Sequence, residues 1–453
     1  MNRRILRLAL PNIITNITVP LLGMVDTAIM GHLSPEGLGA IAIGAAIFNL
    51  IYWNFGFLRM GTSGITAQAY GARRWDLAVR TLVQAGAIAL AIALILIALQ
   101  WPISLLVPVI FEGSDEVLGM ALAYFRVRIW AAPATLGLYA IKGWFIGMQD
   151  SKTPMWIAIA LNCVNILFSL LFVLVFHWDI AGVALGTVVA QYSGLAMGIL
   201  FLRKKLRTEC GERSAASDEL STSNFQLSTL KAALRWADMR RFFRVNGDIF
   251  LRTVCLSAVF TFITAAGSHI GDEVLAVNNL LMQFFTLFSY IMDGFAYAGE
   301  SLVGRYIGAR EPRNLRSAVR LLLLWGLALT GVFTVAYAIG GDWFLRIFTD
   351  QQAVIDAAGR YLFWVLVIPV CGFAAFLFDG IFIGATASRT MRNAMFAATA
   401  AFFALYYGLK AAFSPLDTLA WNNILWIAFM AFLTLRGVLQ AIRLQKDIYS
   451  QAE

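Results

Sequence analysis

Long apolar runs alternate with short polar breaks along this chain. The runs lie near 8–31, 38–60, 79–107, 119–147, 154–177, 181–202, 241–267, 275–300, 317–340, 357–384, 391–412 and 419–441. A helix needs ~20 apolar residues to cross the hydrocarbon core of a bilayer. Barrel strands would show short alternating segments, whereas these runs are continuous. The pattern therefore predicts an all-α polytopic membrane protein with twelve transmembrane helices. The first run follows Arg3, Arg4 and Arg7, as in a signal peptide. It is too long for one, however, carries Asn12, Asn16 and Asp26, and has no small-residue cleavage site, so it reads as the first membrane helix.

A single long polar stretch, 203–240, contains the Ser-rich DELSTSNFQLST and divides the twelve runs into six and six. The two sets repeat one another. HLSPEGL at His32 resembles HIGDEVL at His269, and GAR at Gly71 recurs at Gly308. FIG at Phe145 recurs at Phe382, and SKT at Ser151 becomes SRT at Ser388. Every offset, 308 − 71 for example, is 237. The reading is two pseudo-symmetric six-helix lobes, 1–202 and 241–453, joined by a cytoplasmic linker, 203–240. An even number of crossings gives both lobes the same orientation, related by an axis along the membrane normal.

Composition narrows the function. Hydrophobic residues make up 60% and charged residues 13%, against roughly 45–50% and 25% in soluble domains. With a mean hydropathy of +0.74, a soluble enzyme and a disordered scaffold are both excluded. The net charge of +9 would suggest nucleic acid in a soluble protein. Here the bases fall on alternate breaks: Arg73 and Arg74, Lys152, Arg203 to Arg207, Arg305 to Arg316, Arg389 and Arg392, and Arg443 and Lys446. Acids such as Glu36, Glu112, Asp115, Glu116, Asp179, Asp272 and Glu273 occupy the others. Positive-inside bias then puts both termini in the cytoplasm. Cys163, Cys210, Cys255 and Cys371 show neither zinc spacing nor a disulfide framework, so no metal site is expected.

Ionisable groups deep in a membrane are costly and mark function by default. Asp26, Lys142 and Asp379 are the main candidates, and Lys142 and Asp379 are equivalent by the 237 offset. Asn162, Asn165 and Ser169 share one helix face, as do Thr187 and Gln191. The second half offers Asp248, Asn278, Asn279, Gln283, Asp293 and Glu300. Asp248 and Arg252, four apart, are placed to pair. Interhelical hydrogen bonding is the plainer role for the amides and hydroxyls. Gly143-x-x-x-Gly147 and Gly380-x-x-x-Gly384 are equivalent small-residue pairs that read as close helix packing. Gly61-Thr62-Ser63-Gly64 matches a serine protease motif. The three histidines, His32, His177 and His269, sit at helix ends, so the base such chemistry needs is missing. No nucleotide-binding motif occurs, and an ion gradient is left as the energy source for any pumping.

ALPNII around Pro11, VDTAIMGHL around Asp26, AQAYGAR ending at Arg73 and FDGIFIGA around Asp379 resemble the multidrug and toxic compound extrusion (MATE) family, in its DinF-like branch. The resemblance covers nearly the whole chain. It implies a V-shaped antiporter in a bacterial inner membrane, exporting amphipathic or cationic small molecules as a monomer, with no cofactor beyond a coupling ion. It further implies an N-lobe cation-coupling site at Asp26 with Asn165 and Thr187, a helix 1 bend at Pro11, and a looser match at Tyr124. Tyr124, Asn162, Gln191, Asn279 and Gln283 are carried as pocket residues, and Asp379, Asp248 and Asp293 as C-lobe acids.

One departure stands out. Relatives often carry an acid four residues after the helix 5 Asn, where this chain has Ser169. That leaves one N-lobe acid, which the sequence pairs with Lys142. An ammonium beside the acid disfavours sodium and favours a proton switch. Sodium coupling at Asp379 and a lipid or lipid-linked-sugar flippase are the alternatives.

Overall fold

A computed structural model describes residues 1–111, 113–214, 236–415 and 417–453, with the side chains of Val19, Asp342, 209–214 and 236–238 outside the description. The first half comprises α1 (Asn2–Gly31), α2 (Pro35–Asn54), α3 (Phe57–Gly71), α4 (Trp75–Ala98), α5 (Gln100–Ile110), α6 (Asp115–Arg128), α7 (Ala132–Gly147), α8 (Lys152–Leu170) and α9 (Asp179–Ser214). The second comprises α10 (Trp236–Ile270), α11 (Asp272–Gly308), α12 (Pro312–Phe348), α13 (Gln352–Gly359), α14 (Leu362–Gly384), α15 (Ser388–Ala412) and α16 (Thr418–Asp447). There is no strand among the described residues.

Among the described residues, eleven spans are long and apolar enough to cross a membrane. The twelfth expected crossing is α6 with α7, each too short alone, divided by the 3₁₀ turn Ile129–Ala131. Pro133 stands in the first turn of α7. It has no N–H to continue the ladder backward, so the backbone tightens before resuming. The spans expected at 38–60, 79–107 and 357–384 are likewise broken, at Phe55–Gly56, Leu99 and Arg360–Tyr361. Other helices overrun the bilayer. α11 and α12 have 37 residues each, and at 1.5 Å per residue that is ~55 Å of helix for ~30 Å of hydrocarbon. Arg305, Arg313 and Arg316, read from sequence as loop residues, therefore lie within helices. Of the expected linker, 203–214 extend α9 and 236–240 begin α10; 215–235 lie outside the described residues.

The repeat is physical as well as textual. Arg73 and Arg310 both take positive φ, 57° and 54°, as do Gln149 and Thr386, at 63° and 53°. Each follows a helix end closed by a long backbone bond. Arg74 N donates to Ala69 O and Glu311 N to Tyr306 O, while Asp150 N donates to Phe145 O and Ala387 N to Phe382 O, all at 2.9 Å. These are left-handed caps that satisfy otherwise orphaned carbonyls. Helix packing repeats too. A Cβ at Gly143 would lie 2.3 Å from Arg59 O, and one at Gly380 would lie 2.2 Å from Ala296 O. One at Gly147 would meet Ser63 O at 2.7 Å, and one at Gly384 would meet Glu300 O at 2.5 Å. All four contacts obey the 237 offset.

Contacts resolve the chain into two compact units. One contains Met1–Ile13, Gly71–Arg73 and Gly247–Glu453; the other contains Ile14–Tyr70 and Arg74–Asn246. α1 thus passes from one unit to the other just after Pro11, remaining helical throughout, and α10 does so at Asn246. In the first unit, Arg4 reaches the Tyr306 hydroxyl (3.3 Å) and Trp325 Nε1 donates to Asn2 Oδ1 (3.3 Å), tying down the start of α1.

Candidate functional site

In the unit Ile14–Tyr70 with Arg74–Asn246, one set of buried polar residues converges on Asp26. Apolar neighbours set the stage: Phe48, Tyr52, Ala121, Phe125 and Ile129 form one buried cluster around Tyr124. Tyr124 on α6 is fully enclosed and donates its hydroxyl to Asp26 Oδ2 at 3.3 Å. Thr187 on α9 donates to the same oxygen at 3.1 Å. Asn165 on α8 donates through Nδ2 to Thr187 Oγ1 at 3.1 Å and to Ser169 Oγ at 3.4 Å. On the other side, Arg128 Nη1 donates to the Tyr124 hydroxyl. Two chains of donors, Asn165–Thr187 and Arg128–Tyr124, therefore end on one carboxylate. Such chains polarise each other and favour the ionised acceptor. Asp26 Oδ1 and Asn165 Oδ1 remain without hydrogen bonds, although both are buried.

Small residues give this cluster its room. A Cβ at Gly44 would lie 2.4 Å from the Tyr124 ring, and one at Gly186 would lie 2.3 Å from Ser169 Oγ. A π-helical turn, Leu171–Val175, begins two residues after Ser169. Asn162 Nδ2 donates to Thr18 O at 2.8 Å, securing α8 to α1 about two turns before Ser169.

The sequence-based pairing of Asp26 with Lys142 is overturned. Lys142 lies on α7, where the charge acting on it is the Arg59 guanidinium, and Asp26 faces Arg128 instead. Adjacent helices meet at 143 and 59 through backbone contact, which leaves Lys142 beside a cation rather than the acid. Arg128 escaped the sequence reading. The available signal was an arginine inside an expected span, four residues after Tyr124 and so on the same face.

The unit containing Gly247–Glu453 holds a different arrangement. Asp379 Oδ2 accepts from both Arg252 and Arg436, the latter at 2.7 Å, and Oδ1 accepts from Gln440 at 3.1 Å. Asp248 does not pair with Arg252. It binds Arg392 at 2.6 Å and Ser388 Oγ at 2.8 Å, while Arg252 turns to Asp379, where Arg436 and Gln440 also converge. Asn278 and Asn422 bond reciprocally at 2.9 and 3.0 Å, with Trp426 Nε1 donating to Asn278 Oδ1 at 2.8 Å. Asn279 and Gln283, expected in a pocket, are exposed, and Gln191 is partly buried. Asp293 is partly buried near Arg436. Pro11 is buried within the unbroken α1.

Ser63 is enclosed on α3, and its Oγ has no hydrogen-bond partner, so no base activates it. Cys163, Cys255 and Cys371 are free thiols; the side chain of Cys210 lies outside the described residues. Among the described residues no cluster of three metal-ligating side chains occurs.

Comparison with known proteins gives consistent results. The MatE family model matches residues 11–171 and again 249–407, one match in each half. DNA damage-inducible protein F of Escherichia coli (strain K12) is 39% identical over 436 residues, covering 95% of this chain and 89% of that protein. A probable multidrug resistance protein NorM of Geobacillus kaustophilus is 24% identical, covering 81% of this chain and 79% of its own. Among solved structures, an outward-facing multidrug resistance MATE family transporter superposes with a TM-score of 0.83 at 18% identity, covering 99% of this chain and 96% of that one. A MATE structure in the bent conformation gives 0.81 at 17% identity, covering 100% and 97%.

Proposed function

The chain belongs to the MatE family, whose members are transporters and not enzymes, and from that membership we propose that it is a proton-driven efflux antiporter for amphipathic small molecules. Relatives named for multidrug resistance support export of varied compounds, with cationic dyes the first class to test. The proposal places the protein in a bacterial inner membrane as a monomer, with both termini cytoplasmic, and puts proton coupling at Asp26.

One observation carries this reading: an enclosed carboxylate at the meeting point of two donor chains. Ionised, Asp26 accepts from Tyr124 and Thr187 and fastens α1 to α6 and α9. Protonated, it is a weaker acceptor, and its own O–H seeks a partner. Asn165 Oδ1, buried and unbonded, is of the right chemistry to receive it. Proton binding would thus re-order the grip on α1. Since α1 belongs to one unit up to Ile13 and to the other beyond it, that change acts on a helix common to both. Alternating access, in which the two halves rock to expose the substrate path to each side in turn, follows naturally from such a repeat.

Asp379 is the weaker candidate for coupling. Two arginines and a glutamine already satisfy it, so releasing its charge to a proton would strand two guanidinium groups.

The test is exchange of a fluorescent amphipathic cation in proteoliposomes under separately imposed proton and sodium gradients. Wild type should respond to the proton gradient, and Asp26→Asn should lose that response. Sodium-driven exchange lost only in Asp379→Asn would move coupling to the other half. Silence under both gradients, with movement of a fluorescent lipid, would favour a flippase.

A further inference from the structure

An ionised carboxylate out of water needs a compensating charge, since the effective penalty is several kcal/mol per ion. Two sources are available at Asp26: a bound metal cation or a fixed side chain. Among the described residues, the cation facing Asp26 is Arg128. Its Nη1 is committed to the Tyr124 hydroxyl, which in turn donates to Asp26 Oδ2 at 3.3 Å. Its guanidinium carbon lies 4.8 Å from the centre of the Phe48 ring and 5.2 Å from that of Tyr124. Stacking against two rings of an enclosed cluster restricts where the charge can go.

The titratable groups around this pair are few. Tyr52 faces Arg128 from α2, Tyr124 stands between Arg128 and Asp26 on α6, and Tyr139 on α7 and Tyr192 on α9 lie near Tyr52. α8 contributes the neutral Asn165 and Ser169, and α9 the neutral Thr187. Asp26 is the one carboxylate among them, and the residue one turn after Asn165 is the neutral Ser169.

We propose that Arg128, acting through Tyr124, is a built-in counter-charge that makes the Asp26 site select protons and exclude sodium. This rests on the proton-coupled reading above and adds the residue that decides the ion. A sodium ion at Asp26 would add a second positive charge beside a fixed guanidinium in a medium of low dielectric, where repulsion is poorly screened. A proton brings the same unit of charge but joins the carboxylate covalently, so it neutralises Asp26 with a single oxygen and leaves no separate cation facing Arg128. Tyr124 is the positioning residue: it gives the guanidinium a directional path to the acid without direct contact, so the acid stays free to accept a proton.

The experiment uses the full chain in proteoliposomes and reads the pH profile of dye exchange in sodium chloride and in equimolar choline chloride. Wild type should give the same midpoint in both salts. Arg128→Gln should move the midpoint to higher pH by about one unit or more, because an acid without its counter-charge ionises less readily, and should make it depend on sodium. Arg128→Lys should fall between the two. Tyr124→Phe keeps the cation and the ring, removes only the hydroxyl, and should shift in the same direction by less. A wild-type midpoint that moves with sodium would overturn the proposal. So would Arg128→Gln and Tyr124→Phe profiles that coincide with wild type. Asp26→Asn in the same vesicles separates the two levels: if it retains proton-driven exchange, the coupling site itself is misplaced; if it loses exchange while the Arg128 and Tyr124 variants match wild type, only the counter-charge fails.

Discussion

Gly44 on α2 stands directly against the ring of Tyr124 on α6, so closely that a methyl group there would come within 2.4 Å of the ring. The hydroxyl of that ring is one of two donors to Asp26. A glycine with no chemistry of its own thereby sets the geometry of the acid. Gly44→Ala should push the ring aside and weaken proton-driven exchange by about tenfold or more, the range expected when a hydrogen bond to a charged group is lost. Gly86→Ala, where a Cβ meets nothing within 4 Å, is the control and should exchange like wild type. Equal rates for both variants in proteoliposomes would show that Tyr124 does not need its present position.

The donor chain on the other side predicts an order of effects. Thr187 bonds Asp26 directly, Asn165 bonds Thr187, and Ser169 bonds Asn165. Thr187→Val preserves shape and should reduce exchange most. Asn165→Ala should follow, with Ser169→Ala least affected. Initial rates at fixed proton gradient measure this directly, and a reversed order would mean that the carboxylate is held by something other than this chain.

Helix contact at the repeated glycines predicts matching defects in the two halves. Gly143→Val and Gly380→Val each force a side chain into a neighbouring backbone. Overpacking of this kind costs about 1–3 kcal/mol or more. Both variants should show lowered thermal midpoints in detergent, while Gly408→Ala, with nothing within 4 Å of its Cβ, should not. A tolerated Gly143→Val would mean that α3 and α7 separate more easily than their contact suggests.

The two acids of the second half should differ in how much stability depends on them. Arg252 and Arg436, which pair with Asp379, have side chains 7% and 3% exposed, whereas Arg392, which pairs with Asp248, is 27% exposed. A guanidinium that can reach water tolerates loss of its partner better than one that cannot. Asp379→Asn should therefore destabilise by on the order of 3–5 kcal/mol and Asp248→Asn by clearly less, as read from unfolding in detergent. Comparable losses would place the Arg252–Asp379–Arg436 cluster in contact with water.

Most of the architecture was legible before any coordinates. Apolar runs report helices because a membrane demands that backbone groups be satisfied within each segment, a local requirement. The constant offset of 237 disclosed the duplication, and the caps at Arg73, Gln149, Arg310 and Thr386 and the glycine contacts at 143, 147, 380 and 384 bear it out residue by residue. Asp26, Asn165, Ser169 and Thr187 were also recognisable, since polar groups in such runs are few and costly. What the tertiary structure alone decided was who faces whom. Lys142 and Arg128 are both cations in the first half, and nothing local distinguishes the one that answers Asp26. The break at Ile129–Ala131 and the space left by Gly44 bear on where Tyr124 and Arg128 stand, while the backbone contact at Gly143 leaves Lys142 beside Arg59. The same holds for Arg252, whose neighbour in sequence is Asp248 but whose partner is Asp379, 127 residues away. Charge pairing in a membrane interior is settled by the global packing of helices, because desolvation makes each charge take the best partner in space and not the nearest in sequence.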